Sequence, residues 1–143
     1  MSLETKWSLF TLSFLSATLL PGGSEAYVFY LIKNDAYFLQ TIFIATIGNT
    51  LGGFTNYVIG RWGKQLLYSK WFGFDRRKLR KARFFFHKRG QFALFFAFLP
   101  IIGDPITAVA GVLEYSISKF FFWVFLGKMF RYTVIVYLSS WQI

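Results

Sequence analysis

Apolar residues gather in six stretches, at positions 7–20, 26–32, 36–60, 92–102, 106–113 and 120–138. A bilayer core takes about 20 helical residues to cross. Only 36–60 and 120–138 come near that length, so these two are predicted to be transmembrane helices. The other four form two pairs, each interrupted by proline, glycine and an acid: Pro21-Gly22-Gly23-Ser24-Glu25 in the first and Pro100-Ile101-Ile102-Gly103-Asp104-Pro105 in the second. Such sequences break helices. Within lipid, broken backbone is tolerated only where protein or a water-filled cavity satisfies the freed N–H and C=O groups. Each interruption is therefore expected to point inward, either as the tip of a re-entrant hairpin or as the kink of a helix that crosses completely.

The two halves also match at an offset of 79 residues, which sets Leu20-Pro21 on Leu99-Pro100, Glu25 on Asp104, Phe43 on Phe122, and Gly48-Asn49 on Gly127-Lys128. The shared skeleton is P-x3-[ED]-x22-G-[NK]. Hydropathy alone does not place a proline, an acid and a glycine in step, so we read a repeat. If each unit is a hairpin plus one crossing helix, the second unit is inverted relative to the first, an architecture found in transporters. The expected fold is an all-α integral membrane protein. It forms a single membrane domain over 1–143, with repeat one at 7–60, a basic loop at 61–90 and repeat two at 91–138.

Composition agrees, with 55% hydrophobic and 23% aromatic residues against 15% charged ones, which excludes disorder and argues against a water-soluble globule. The formal charge of +10 has one source. Between Arg61 and Arg89 eleven cations face Asp75 alone, and the rest of the chain balances. That is the positive-inside pattern, which predicts a cytoplasmic loop near anionic headgroups, with Asp35 and both termini outside. Leu79, Ala82 and Phe86 fall on one helical face, with Trp71, Phe72 and Phe74 before them, so part of the loop is expected to be an amphipathic helix. A loop tethered at both ends to apolar segments offers no nucleic-acid groove, and no nucleic-acid partner is expected. The absence of cysteine excludes disulfides and thiolate sites, and a single histidine argues against a metal centre. No cofactor motif is present. The first apolar stretch lacks an A-x-A cleavage pattern and is read as retained.

Four ionisable residues lie in or beside the apolar segments: Glu25, Asp104, Lys128 and Arg131. An ionised side chain there costs roughly 2.5 to 3.5 kcal/mol on insertion scales, so these are expected to face inward and neutralise one another. Lys128 and Arg131 share one face of their helix. Pairing of Arg131 with Asp104 is the first expectation; Lys128 with Asp104 and Arg131 with Glu25 are the alternatives. In 36–60, Gly48-x3-Gly52 and Asn49-x3-Gly53 suit close helix approach. Asn49 and Asn56 are candidates for hydrating a cavity against the broken hairpin. His87 is expected at the surface, and Ser24 beside Glu25 is no hydrolase signature.

The motifs L-P-G-G-S-E (20–25), G-N-T-L-G-G-F-T-N-Y-V-I-G (48–60), L-P-I-I-G-D-P (99–105), A-G (110–111) and G-K-M-F-R-Y (127–132) resemble those of the DedA membrane family, also called the VTT or SNARE-associated Golgi protein family. The resemblance spans nearly the whole chain and is nearest to the short YqaA-like branch. It implies an inner-membrane protein with two facing re-entrant hairpins, in a family tied to membrane-potential maintenance, undecaprenyl-phosphate recycling and, in eukaryotic relatives, lipid scrambling. Typical members carry F-x3-R-F-x-P-x2-R at the second hairpin, whereas here Ala97 and Gly103 occupy the arginine positions. The role of those arginines does not carry over, and Lys128 and Arg131 are the cations expected to replace them.

The function expected from these residues is transport: a multi-pass inner-membrane carrier or flippase, proton-linked, for an anionic lipid or other anion. Glu25 and Asp104 would titrate or coordinate, Lys128 and Arg131 would supply cations, and membrane lipids and a second copy of the chain are the expected partners. A scaffold or assembly factor that recruits a partner or anionic lipid through its basic loop is the rival. An intramembrane enzyme on a lipid phosphate ranks last because no nucleophile is evident.

Overall fold

Helix breaks fall where glycine and proline demand them. The computed structural model of the protein describes residues 1–18, 22–35, 37–67 and 75–141. Six helices occupy them: α1 (Leu3–Thr18), α2 (Gly23–Asp35), α3 (Phe38–Leu67), α4 (Arg76–Phe95), α5 (Gly103–Val112) and α6 (Ile117–Ser140), with a 3₁₀ turn at Phe96–Phe98. Gly22 at φ 95 leads into α2, and Pro105 sits in the first turn of α5, where its missing N–H is not needed. Pro21 and the aromatic run of Trp71, Phe72 and Phe74 lie outside the described residues. Among the described residues, α3 and α6 are the two helices long and apolar enough to cross a membrane. At 1.5 Å per residue they extend about 45 Å and 36 Å, whereas α1, α2 and α5 reach only about 24, 20 and 15 Å.

The predicted basic loop is largely helical. Arg61 and Lys64 lie on the last turns of α3, while the run from Arg76 continues without interruption past residue 90 into the second apolar half. Arginine, lysine and alanine are good helix formers, and the Asp75 carboxylate caps α4 by accepting the Arg77 N–H at 3.0 Å. The apolar stripe starts as predicted at Leu79 and Phe86, which are half-buried, and continues through Gly90, Leu94 and Ala97. Ala82 is exposed.

Packing pairs fix the helix directions. Phe10 and Phe14 of α1 meet Gly48 and Gly52 of α3, and Ala17 meets Asn56, so α1 and α3 run parallel. Helix α5 also runs with α3, since Thr107 lies on Gly53, Gly111 on Tyr57 and Val112 on Gly60. Between α3 and α6 the order reverses: Tyr57 packs on Phe120, Gly53 on Val124, and Ala45 clusters with Tyr132 and Val136. Helix α2 follows α6, because Ser24 bonds Tyr132 while Val28 and Ile32 gather with Val136. Phe86 against Tyr115, Phe95 against Gly127 and Phe98 against Phe130 run α4 alongside α6.

Each short pair is thus an antiparallel hairpin. Helices α1 and α4 pack on the long helix of their own half, and α2 and α5 pack on the long helix of the other. The long helices start at Phe38 and Ile117, the 79-residue offset read in the sequence. Two apolar clusters result. One gathers Leu9, Val28, Ile32, Ala45, Tyr132 and Val136; the other gathers Tyr57, Leu94, Ala110, Tyr115, Phe120 and Val124.

Glycine makes the α3–α5 approach possible. A Cβ on Gly111 would run into the Tyr57 carbonyl, and one on Gly60 into that of Ala108. Gly111→Ala is therefore expected to lower the thermal midpoint of the detergent-purified protein and its yield as a single size-exclusion peak. Gly63→Ala adds a Cβ with no atom within 4 Å and should gain about 0.5 to 1 kcal/mol of helix stability. A Gly111→Ala protein as stable as wild type would contradict this packing.

Candidate functional site

Both hairpin tips reach the middle of the long helices. Asn56 of α3 donates its Nδ2 hydrogen to the Ala17 carbonyl at 2.7 Å, which satisfies an end-of-helix acceptor of α1. On α6, Lys128 and Arg131 face the two tips. Lys128 Nζ lies 2.9 Å from Asp104 Oδ1, and Arg131 forms an ion pair with Glu25. The first expected pairing, Arg131 with Asp104, is not the one formed. Helix α2 meets α6 at the level of Arg131 and Tyr132, and the start of α5 sits one turn nearer the α6 N-terminus, at Lys128.

Burial within each pair is uneven. The Lys128 and Arg131 side chains are 0% and 9% exposed, and Asp104 and Glu25 are 21% and 27% exposed. The cations are set in the protein, while the acids border open space. A cavity of about 320 Å³ is lined by Asp104, Asn56, Ser16 and Ala17, and a second of about 300 Å³ by Glu25, Arg131, Leu99, Pro100 and Phe130. Each acid also lies in the first turn of its helix, where the macrodipole favours negative charge.

The chemistry is less symmetric than the chain. Both cations come from α6; the positions 79 residues earlier are Asn49 and Gly52, which pack on α1. Asn49 bonds the Ser13 carbonyl at 3.1 Å and lines neither tip cavity, whereas Asn56 lines one. Around the pairs runs a band of buried hydroxyls that the sequence did not single out as a site. Ser24 Oγ links Ser16 Oγ at 3.1 Å and the Tyr132 hydroxyl at 2.9 Å, and Thr107 bonds the Asp104 carbonyl at 2.6 Å. Ser24 and Tyr132 are visible in the sequence only as the neighbours of Glu25 and Arg131 within the two motifs, and Ser16 and Thr107 carry no signal. His87 is exposed, with Nε2 3.2 Å from the Leu113 carbonyl.

Among the described residues no group of three His, Cys, Asp or Glu side chains forms a metal cage. Paired carboxylates and cations beside cavities can exchange a proton and can hold an anion.

The VTT domain matches residues 26–140. The chain is 36% identical to an uncharacterized protein of Haemophilus influenzae, over 92% of this chain and 85% of that protein. It is 35% identical to the inner membrane protein YqaA of Escherichia coli and of Shigella flexneri, over 90% of this chain and 87% of each. No solved structure matches it. With the family match covering residues 26–140 and relatives at 35–36% identity over nine-tenths of the chain, the chain belongs to the VTT domain, or DedA, family as a YqaA-like member.

Proposed function

We propose that this protein is a multi-pass inner-membrane carrier or flippase for an anionic lipid or other anion, coupled to protons. Its fold, in this reading, is an inverted repeat of two re-entrant hairpins. Antiparallel α3 and α6, together with α1, α2 and α5, each too short to cross, support that architecture. The observation that carries the function is the pair of ion pairs at the facing tips, cations buried and acids beside cavities.

Coupling follows from charge balance. A proton arriving at Glu25 or Asp104 cancels that carboxylate and leaves Arg131 or Lys128 without its partner. An anion then takes the carboxylate's place, so proton and anion are bound together and the buried charge does not change. Loss of the proton restores the internal pair and expels the anion. Buried hydroxyls of Thr46 and Thr50 without a hydrogen-bond partner among the described residues suit a hydrated route beside α3.

The test is reconstitution into liposomes with labelled lipids and anions, with and without a pH gradient. Flux of an anionic species that rises with the gradient and disappears in Glu25→Gln supports the proposal. Equal flux through Glu25→Gln, Asp104→Asn and wild type overturns it. The scaffold reading draws on the exposed cations of α4 and predicts that Lys78 and Lys81 substitutions impair the cell more than changes at Glu25 or Asp104.

Topology is tested separately, in a chain that has no cysteine of its own. Single cysteines at Lys81 and Ser116 should be protected from an impermeant thiol reagent in intact cells, and those at Ser2 and Ser140 should be labelled. Labelling at Ser116 with protection at Ser2 would reject the hairpin arrangement.

A further inference from the structure

A second charged cluster lies where α3 ends and α4 begins. Lys64 of α3, Arg76, Arg80 and Arg83 of α4, and Glu114 from the turn after α5 line a cavity of about 180 Å³ beside Leu79. Four cations face one carboxylate. The three arginines share a face of α4 by their spacing, so the helix presents them together. Glu114 is held by Lys64 on one side and by Arg83 Nη2 at 2.8 Å on the other. Arg80 has no ion pair among the described residues.

The backbone beneath Glu114 is a second, independent observation. Helix α5 ends with the Tyr115 N–H bonded to the Ala110 carbonyl and the Glu114 N–H to that of Gly111, which puts Glu114 in the left-handed region at φ 54. That capping position favours glycine. A glutamate there runs against its backbone preference, and its side chain sits among the cations.

We propose that this cavity binds a phosphate monoester group, and that Glu114 is a built-in anion occupying Lys64 and Arg83 until the ligand displaces it. Guanidinium forks grip phosphate oxygens in pairs, and a phosphate monoester carries about −1.5 to −2 at neutral pH, enough to take over from a single carboxylate. The cavity has room for one phosphate group with water. The site is independent of the central pairs, because Lys64 lies two turns of α3, about 12 Å, beyond Asn56. The same chemistry is offered by the headgroup of phosphatidic acid and by soluble phosphate monoesters.

The experiment titrates the full-length protein, in a neutral detergent, with short-chain phosphatidic acid, with phosphatidylcholine of the same chain length and with glycerol 3-phosphate, reading heat and thermal midpoint. Binding of phosphatidic acid or glycerol 3-phosphate, but not of phosphatidylcholine, is expected, weakening as salt is raised. If only the lipid binds, the source is a headgroup. If both bind alike, the phosphate alone is recognised. Arg80→Gln should weaken binding about tenfold, the loss of one charge-assisted contact. Glu114→Gly suits the left-handed backbone, removes the competing anion, and should fold well and bind severalfold tighter. Three results would overturn the proposal: no binding in either phosphate arm, affinity unchanged by both substitutions, or binding abolished in the charge-matched double variant Asp104→Asn with Lys128→Met at a wild-type thermal midpoint, which would place the phosphate at the tips.

Discussion

Asp104→Asn is expected to damage folding more than Lys128→Met, although the two residues form one ion pair. The Lys128 side chain is 0% exposed, so removing its carboxylate strands an ammonium group in a dry interior. Breaking a buried pair from one side in this way costs about 3 to 5 kcal/mol. Asp104 is 21% exposed, borders the cavity it shares with Asn56, and lies in the first turn of α5. Without Lys128 it keeps water and a helix N-terminus, so the penalty is smaller. The double variant Asp104→Asn with Lys128→Met removes both charges and should recover the wild-type thermal midpoint in detergent. It should still fail to move anion in liposomes, since neither proton acceptor nor cation remains at that tip. A Lys128→Met protein less stable than Asp104→Asn would show that Asp104, not Lys128, is the stranded group. Wild-type flux through the double variant would remove this pair from the transport site.

Those charges were legible in the chain because acids and cations are conspicuous among apolar residues, and the two long helices because their length leaves no alternative. The assignment of partners was not. Lys128 and Arg131 lie on one face of α6, and nothing in their spacing tells which hairpin docks at which level. That choice is made by packing, with Ser24 at Tyr132 and Thr107 over Gly53. Asn49 and Asn56 look alike in sequence and separate only because α1 ends at Thr18, leaving Asn49 opposite mid-helix backbone and Asn56 at a helix end beside the cavity. The serine, threonine and tyrosine band is nearly silent in hydropathy. In the basic stretch, charge drew attention to the loop reading, while the helix propensity of its arginines and lysines and the Asp75 cap carried the structural signal.

Rescue should follow the observed partners rather than net charge. Arg131→Leu leaves Glu25 without its cation and is expected to lower protein abundance. Adding Glu25→Gln removes the stranded acid and leaves the Lys128 to Asp104 pair intact. Adding Asp104→Asn instead leaves Glu25 and Lys128, each without its own partner. Both double variants keep one acid and one cation, so they have the same net charge, and any difference between them reports geometry. The matched double, Arg131→Leu with Glu25→Gln, should return to near wild-type abundance. The crossed double should fall below either single variant, because Lys128 is then buried with no carboxylate in reach of its Nζ. Coupling between residues in direct contact is typically about 0.5 to 3 kcal/mol, enough for the two doubles to separate clearly in thermal midpoint. If the crossed double recovers as well as the matched one, only the total charge matters and the pairing of α2 with Arg131 is wrong. Flux divides structure from function: a structural cluster predicts that the matched double transports normally, whereas a transport site requires that it fold and remain inactive.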